Sequence, residues 1–344
     1  MARTPSRTIT LSSARNTLIW PPSTRPFGPL GRASARVPAS VPEVVAPRRS
    51  LARPASLAAA VSDPYGAYRM KLLFCGVRGS TPAPGSEFAR VGGNTSCVAV
   101  ARGVGPPALV LDAGTGLRRL SGVLAGEPFR GTILLTHLHW DHAQGLPFFA
   151  AGDRDDAHVT LLMPAQGEPT QVLARALSPP HFPIGPDGLR GDWRFGSLDP
   201  GEHELEGFAV LAADIPHKGG RTFGYRVSDG EAAIAYLPDH CPITGGPGPG
   251  AALSLCRDVD VLVHGAQFTA DERDRATDFG HATVDDAVAL AREAGAGRLV
   301  LFHHDPSRVD DDVEAIAAKA ATSAAMPVTA AVEGATMLVR EPVA

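Results

Sequence analysis

The chain has 344 residues, 44% of them hydrophobic, enough to bury a large core in one or two domains. Its net charge of −4 is uneven: residues 1–69 hold ten arginines against Glu43 and Asp63, a net of +8, which leaves −12 on residues 70–344. An acidic body without a basic track argues against extended nucleic acid as a partner. No apolar run reaches the roughly 18 residues of a membrane helix. Four cysteines (Cys75, Cys97, Cys241, Cys256) lack Cys-x-x-Cys spacing and suit reduced thiols in a soluble, cytoplasmic protein.

Residues 1–69 are rich in Arg, Pro, Ser and Ala, with ten prolines and almost no hydrophobic periodicity. Such a segment cannot offset its ordering entropy, so disorder is expected. It has no apolar h-region of a secretory signal, its prolines break the amphipathic helix of a transit peptide, and it lacks the lysines and clustering of a nucleic-acid tail. Met70 opens a strand-like run, Met-Lys-Leu-Leu-Phe-Cys-Gly. The expectation is that translation starts at or near Met70, that residues 1–69 belong to an over-extended reading frame, and that 70–344 form the working domain.

From there, short apolar runs separated by Gly, Pro and Asp predict strands at 71–77, 96–101, 108–112, 131–136, 158–162, 208–214, 222–227, 232–237, 259–264, 298–302 and 335–340. Helical periodicity is clearest in 283–294, where Val284, Ala287, Val288 and Ala291 share a face, Thr283 can cap and Gly295 can stop the helix. Further helices are expected near 116–122, 142–150, 168–177 and 310–321. Clustered strands with helices interspersed indicate an α/β sandwich. The Pro/Gly-rich stretch 178–193 reads as a long loop, either a lid over a site or a packed surface loop.

The densest chemistry follows the 131–136 strand: Thr-His-Leu-His-Trp-Asp-His, with His137, His139, Asp141 and His142 inside six positions. Imidazole nitrogen and carboxylate oxygen are the donors Zn²⁺ and similar ions prefer. An extended backbone points His137 and His139 to one side, while Asp141 and His142 fall where a helix can begin and face a second ion. A binuclear site needs more donors, and three lie at later strand ends: His217 after 208–214, Asp239 after Ala-Ile-Ala-Tyr-Leu-Pro, and His303 after Leu-Val-Leu-Phe.

This order of motifs resembles the metallo-β-lactamase superfamily, in particular its ribonuclease Z and cyclic-nucleotide phosphodiesterase-like branch. Phe-Cys-Gly-Val-Arg-Gly-Ser-Thr-Pro, Gly-Gly-Asn-Thr-Ser-Cys (92–97) and Leu-Asp-Ala-Gly-Thr-Gly (111–116) look like the branch's other signatures, and the likeness spans about 71–340. The resemblance implies a four-layer αββα sandwich with two divalent ions at one edge of the sheets, Zn²⁺ first, with Mn²⁺ or Fe²⁺ as alternatives. It implies that His137, His139 and His217 hold one ion, that Asp141, His142 and His303 hold the other, and that Asp239 bridges them. His281, in Gly-His-Ala-Thr, matches the branch's proton-donating histidine. His264 matches its His-Glu-Ala phrase, but Gly265 stands where an acidic residue is usual, so either Asp278 or Asp285 substitutes as the partner of His281 or His281 is a weaker acid catalyst here.

Two ions suit phosphodiester hydrolysis, with Asp141 orienting or deprotonating the nucleophile and His281 as general acid. Ribonuclease Z relatives carry a long RNA-gripping arm between the Gly-Tyr strand and the bridging Asp. Here Tyr225 and Asp239 are fourteen positions apart, which leaves no room for it. A small phosphodiester such as a cyclic nucleotide is therefore the expected substrate, with Phe182 and Pro183 of the 178–193 loop placed to cover its base; related enzymes are often homodimers. The rival readings are a tRNA 3′-processing endonuclease and a lactonase or thioesterase. Flavodiiron chemistry is disfavoured because that branch places Glu where His139 stands, and a metal-free carrier would have lost ligands.

Overall fold

The computed structural model describes residues 70–242 and 250–340. The expectations for residues 1–69 lie outside these. Among the described residues, fourteen strands form two seven-stranded sheets. The first has the order β14-β1-β2-β3-β4-β5-β6, from β1 (Met70–Gly76), β2 (Cys97–Arg102), β3 (Leu109–Leu111), β4 (Arg130–Leu134), β5 (His158–Pro164), β6 (Asp192–Leu198) and β14 (Thr336–Leu338). The second has the order β13-β12-β11-β10-β9-β8-β7, from β7 (Gly201–Leu205), β8 (Phe208–Asp214), β9 (Phe223–Ser228), β10 (Ala233–Leu237), β11 (Val261–Gly265), β12 (Leu299–Phe302) and β13 (Val328–Ala330).

Both faces of each sheet are buried, which is why the central strands read as near-continuous apolar runs rather than alternations. Leu72, Phe74, Val98, Val100 and Leu134 meet Tyr225, Ile234, Tyr236, Val263 and Phe302 in the core between the sheets. The intervening residues face outward: Cys97, Ala99, Val110 and Ile133 pack against α1 (Leu117–Val123). Ala235, Leu237, Leu262 and Leu301 pack under α4 (Gly250–Cys256) and α6 (Val284–Ala294). Helix, sheet, sheet, helix is the expected αββα order. The remaining helices are α2 (Trp140–Ala143), α3 (Pro169–Ala174), α5 (Arg273–Phe279) and α7 (Asp310–Ser323).

The 283–294 helix forms as the sequence predicts: Thr283 and Asp286 make a capping box, and Gly295 ends it at φ 70°. The helix expected over 142–150 instead breaks into α2 and a 3-10 turn at Leu146–Phe148, because Gly145 packs against the Gly114 backbone where a Cβ would lie 2.0 Å from its carbonyl oxygen. The loop expected over 178–193 ends early, since Asp192 already starts β6.

Sheet direction places the site. β3, β4, β5 and β6 run parallel, as do β10, β11, β12 and β13. β1 and β8, each two antiparallel steps from β3 and β10, share their directions. The carboxyl ends of β1, β3, β4, β8, β10, β11 and β12 therefore collect on one edge, where open α/β sheets characteristically put their sites.

Candidate metal centre

All seven predicted ligands converge on that edge. Among the described residues, four sets of three donors have their atoms within 4.8 Å of one another: His137, His139 and His217; His137, His142 and Asp239; Asp141, His142 and His303; and His217, Asp239 and His281. Asp239 is 1% exposed and lies between the two sides, its Oδ1 4.0 Å from His217 Nε2 and its Oδ2 2.8 Å from His142 Nε2 and 3.3 Å from His303 Nε2. Two of these sets, His137 with His139 and His217 and Asp141 with His142 and His303, hold the residues the resemblance groups together, while His137, His142 and Asp239 draw on both.

Local structure aims each donor. His139 is the extended N-cap of α2, at ψ 152°, so His137 and His139 precede the helix and Asp141 and His142 lie in its first turn. His303 leaves β12 at φ 54°, and Asp112 leaves β3 at φ 62°. Non-glycine residues in the left-handed region store strain, and both of these lie at the centre.

The donor set fits cations. Asp112 Oδ2 is 2.8 Å from His142 Nδ1, which assigns the ring proton there and turns the Nε2 lone pair inward. That Nε2 lies 2.8 Å from Asp239 Oδ2, 3.3 Å from Asp141 Oδ2 and 3.2 Å from His303 Nε2. His137 Nε2 is buried without a hydrogen-bond partner. Lone pairs and carboxylates crowded together out of water make sense around positive charge.

Proton affinities report the same deficit. Burial disfavours charge on His142, yet Asp141, Asp112 and Asp239 outweigh it and hold its pKa well above the ordinary value. Burial likewise opposes ionisation of Asp141 and Asp239, but the surrounding imidazoles, His142 and His303 foremost, keep both well below the usual carboxylate range. His137 and His139 are lowered by burial and by their fellow imidazoles, as neutral ligands should be.

His281 lies at the centre's rim, its Nδ1 3.2 Å from Asp239 Oδ1 and its ring stacked on His303 at 5.5 Å. The carboxylate beside it is thus Asp239, and neither Asp278 nor Asp285 takes the place expected from the sequence. Burial brings the His281 pKa down to about 4 against the pull of Asp239. Gly265 has a steric reason: a Cβ there would lie 2.2 Å from the Pro238 carbonyl oxygen, so no acidic side chain fits. His264 is turned away and pairs with His240 Nδ1 at 3.1 Å. The neighbouring His304 bonds Ala331 O at 3.1 Å, whereas His303 Nε2 faces Asp141 Oδ2 at 3.1 Å and Asp239 Oδ2 at 3.3 Å.

Several supporting residues were not singled out from the sequence. Asp112 also accepts from Thr136 N at 2.7 Å and from Tyr236 Oη at 3.0 Å. Thr136 Oγ1 lies 3.0 Å from both Asp112 Oδ1 and His137 Nδ1. Ser80 N donates to Asp141 Oδ2 at 2.6 Å. Asp112 ends an apolar strand, as Asp239 nearly does, so the same strand-end signal could have found it. Phe182, expected over a substrate base, packs on Phe148 at 5.8 Å. It lines a largely apolar cavity of about 410 Å³ with Leu138, Trp140 and Leu177.

A family model described as the beta-lactamase superfamily domain matches residues 109–304. The chain belongs to that family, and its fold and histidine–aspartate cluster define a metal-dependent hydrolase of the metallo-β-lactamase superfamily. Ribonuclease Z of Salinibacter ruber (strain DSM 13855 / M31) is 29% identical over 221 residues, 50% of this chain and 67% of that protein. The metallo-β-lactamase fold protein YhfI from Bacillus subtilis is similar at TM-score 0.61 and 20% identity, over 78% of this chain and 99% of that one. Human tRNase Z, short form, is similar at TM-score 0.55 and 22% identity, over 79% of this chain and 100% of that one. No helix among the described residues is long and apolar enough to cross a membrane.

Proposed function

We propose that the chain is a phosphodiesterase whose centre holds two divalent ions, Zn²⁺ by the character of its donors, and that its substrate is a small phosphodiester such as a cyclic nucleotide. The observation that carries the reading is the two donor groups with Asp239 between them, 4.0 Å from His217 Nε2 and 2.8 Å from His142 Nε2, and a protonatable imidazole, His281, against that carboxylate. Two ions held there would offset the charge of an in-line phosphoryl transition state and make hydroxide available near neutral pH.

The chain's own residues supply the rest. Asp141, its Oδ2 fixed by Ser80 N, would orient or deprotonate the nucleophile. His281, anchored at Nδ1 by Asp239, presents Nε2 to the leaving oxygen. A bound phosphodiester adds a second negative charge beside the ring and so favours the proton it must donate.

Size selection rests on the β9–β10 connection. Residues 229–232 form a tight turn in which Asp229 Oδ1 accepts from Glu231 N and Ala232 N, at the place where the ribonuclease Z resemblance implies an RNA-gripping arm. The second reading, RNA 3′-end processing, is favoured by the ribonuclease Z relatives. A side-by-side assay of cyclic nucleotides, bis-p-nitrophenyl phosphate, a precursor tRNA and a homoserine lactone decides. Turnover of the small phosphodiesters above tRNA supports the proposal. Preferred cleavage of tRNA overturns the small substrate, and lactone turnover alone overturns phosphodiester chemistry.

A further inference from the structure

Three imidazoles of the centre have a partner for the nitrogen that faces away from it. His142 Nδ1 meets Asp112 Oδ2 at 2.8 Å, His137 Nδ1 meets Thr136 Oγ1 at 3.0 Å, and His217 Nδ1 meets Gly280 O at 2.6 Å. A metal-bound histidine donates its second N–H to such an acceptor, which fixes the ring and raises its basicity. His303 differs: Nε2 faces the centre, 3.1 Å from Asp141 Oδ2, while Nδ1 is buried without a hydrogen-bond partner.

Close by lies its complement. Gln267, two residues past β11 and 7% exposed, has Oε1 buried and also without a partner. Both atoms border Gly79. A Cβ on that glycine would sit 2.2 Å from His303 Nδ1 and 2.9 Å from Gln267 Oε1, so the two atoms are separated by no more than the sum of those distances. Any side chain at 79 would collide with both. The other end of the amide is already committed, with Gln267 Nε2 donating to Ser80 Oγ at 3.0 Å, and Ser80 N donating to Asp141 Oδ2 at 2.6 Å.

We propose that Gln267 is a positioning residue for the ion held by Asp141, His142 and His303: its Oε1 accepts the His303 Nδ1 proton, and its Nε2, through Ser80, steadies Asp141. One buried donor and one buried acceptor, each costly if left unpaired, then satisfy each other. The inference rests on the reading of the cluster as a two-ion centre and adds the residue that tunes one of the two ions.

Zinc affinities measured by chelator competition on the full chain test it, together with the melting temperature of the metal-free protein. Gln267→Leu, similar in size but without polar atoms, is expected to weaken one ion by about 10–100-fold and to leave the other unchanged. Gln267→Glu keeps an acceptor for the ring proton and is expected to restore the weakened ion to within a few-fold of wild type. A Leu variant that binds both ions like wild type, or a Glu variant as weak as Leu, overturns the proposal. Should the Leu variant not fold, nitrogen-15 spectra of zinc-loaded wild type decide: a slowly exchanging His303 Nδ1 proton supports the bond, and rapid exchange with water overturns it. Wild type that binds no zinc overturns the two-ion reading itself, and this inference with it.

Discussion

Replacing Asp112 with Asn tests the support beneath both ions at once. The carboxylate is fully buried and takes the ring proton of His142 directly, at 2.8 Å. It reaches His137 through Thr136, whose Oγ1 lies 3.0 Å from each. One group therefore orients a ligand from each donor set. Asn is nearly isosteric and tolerates φ 62°. With its carbonyl oxygen at the Oδ1 position, it still accepts from Thr136 N. Its amide then occupies the Oδ2 position, where it faces Nδ1–H of His142 donor to donor; the Tyr236 hydroxyl can turn to accept, but the imidazole cannot. A hydrogen bond to a charged group contributes about 1.5–3 kcal/mol, which corresponds to roughly 10–100-fold in affinity. Zinc titration against a chelator should show a loss of that size at the Asp141–His142–His303 ion and a smaller one at the ion reached through Thr136. Wild-type affinity at both ions would refute the relay.

Arg78 is wholly buried and binds Gly92 O, Asp305 O and Arg308 O beside Asp310; Arg78→Met should cost about 3–5 kcal/mol in urea unfolding, and a loss below about 1 kcal/mol would count against its role as a tie between β1 and the start of α7. Gly265→Ala drives a Cβ against the Pro238 backbone just before Asp239, so zinc content and melting temperature should fall together; a neutral outcome would remove the steric account of that glycine. Burial raises the Asp286 pKa, but Arg273 and the Thr283 amide and hydroxyl lower it further, so its folded value lies below the unfolded one. Its stabilisation is thus present at neutral pH and lost as pH falls through that depressed value. Asp286→Asn should cost about 1 kcal/mol at pH 7 and flatten the loss of stability below about pH 4. His281→Asn should slow hydrolysis of a cyclic nucleotide by about 10²–10⁴-fold and of bis-p-nitrophenyl phosphate, whose leaving group needs little protonation, far less; equal losses would contradict the proton-donor role.

The central strands were legible because burial on both faces leaves a plain apolar run. β6 and β7 were not, since each lies at a sheet edge with exposed alternate residues such as Arg194 and Glu204. α5 escaped for a similar reason: Arg273-Asp-Arg-Ala-Thr-Asp-Phe buries only Ala276 and offers no apolar stripe. The seven candidate ligands were legible because metal-donor types at strand ends are residues that a core would not choose. Gln267 and Ser80 carry no such signature. Their roles arise only when β1, β11 and β12 bring their carboxyl ends to one edge, and the sequence does not spell out that arrangement. The missing acid at 265 was visible from the sequence, but its cause, the Pro238 carbonyl 2.2 Å away, was not.

The central claim is that Asp239 joins two ions into one hydrolytic centre. Metal content and bis-p-nitrophenyl phosphate turnover of wild type and Asp239→Ala, each stripped with chelator and reloaded with Zn²⁺, test it most directly. The account predicts two ions per chain in wild type, activity that vanishes on stripping and returns on reloading, and loss of both ions' tight binding in the variant. Activity that survives stripping, or an Asp239→Ala protein that still binds two ions tightly, would contradict it.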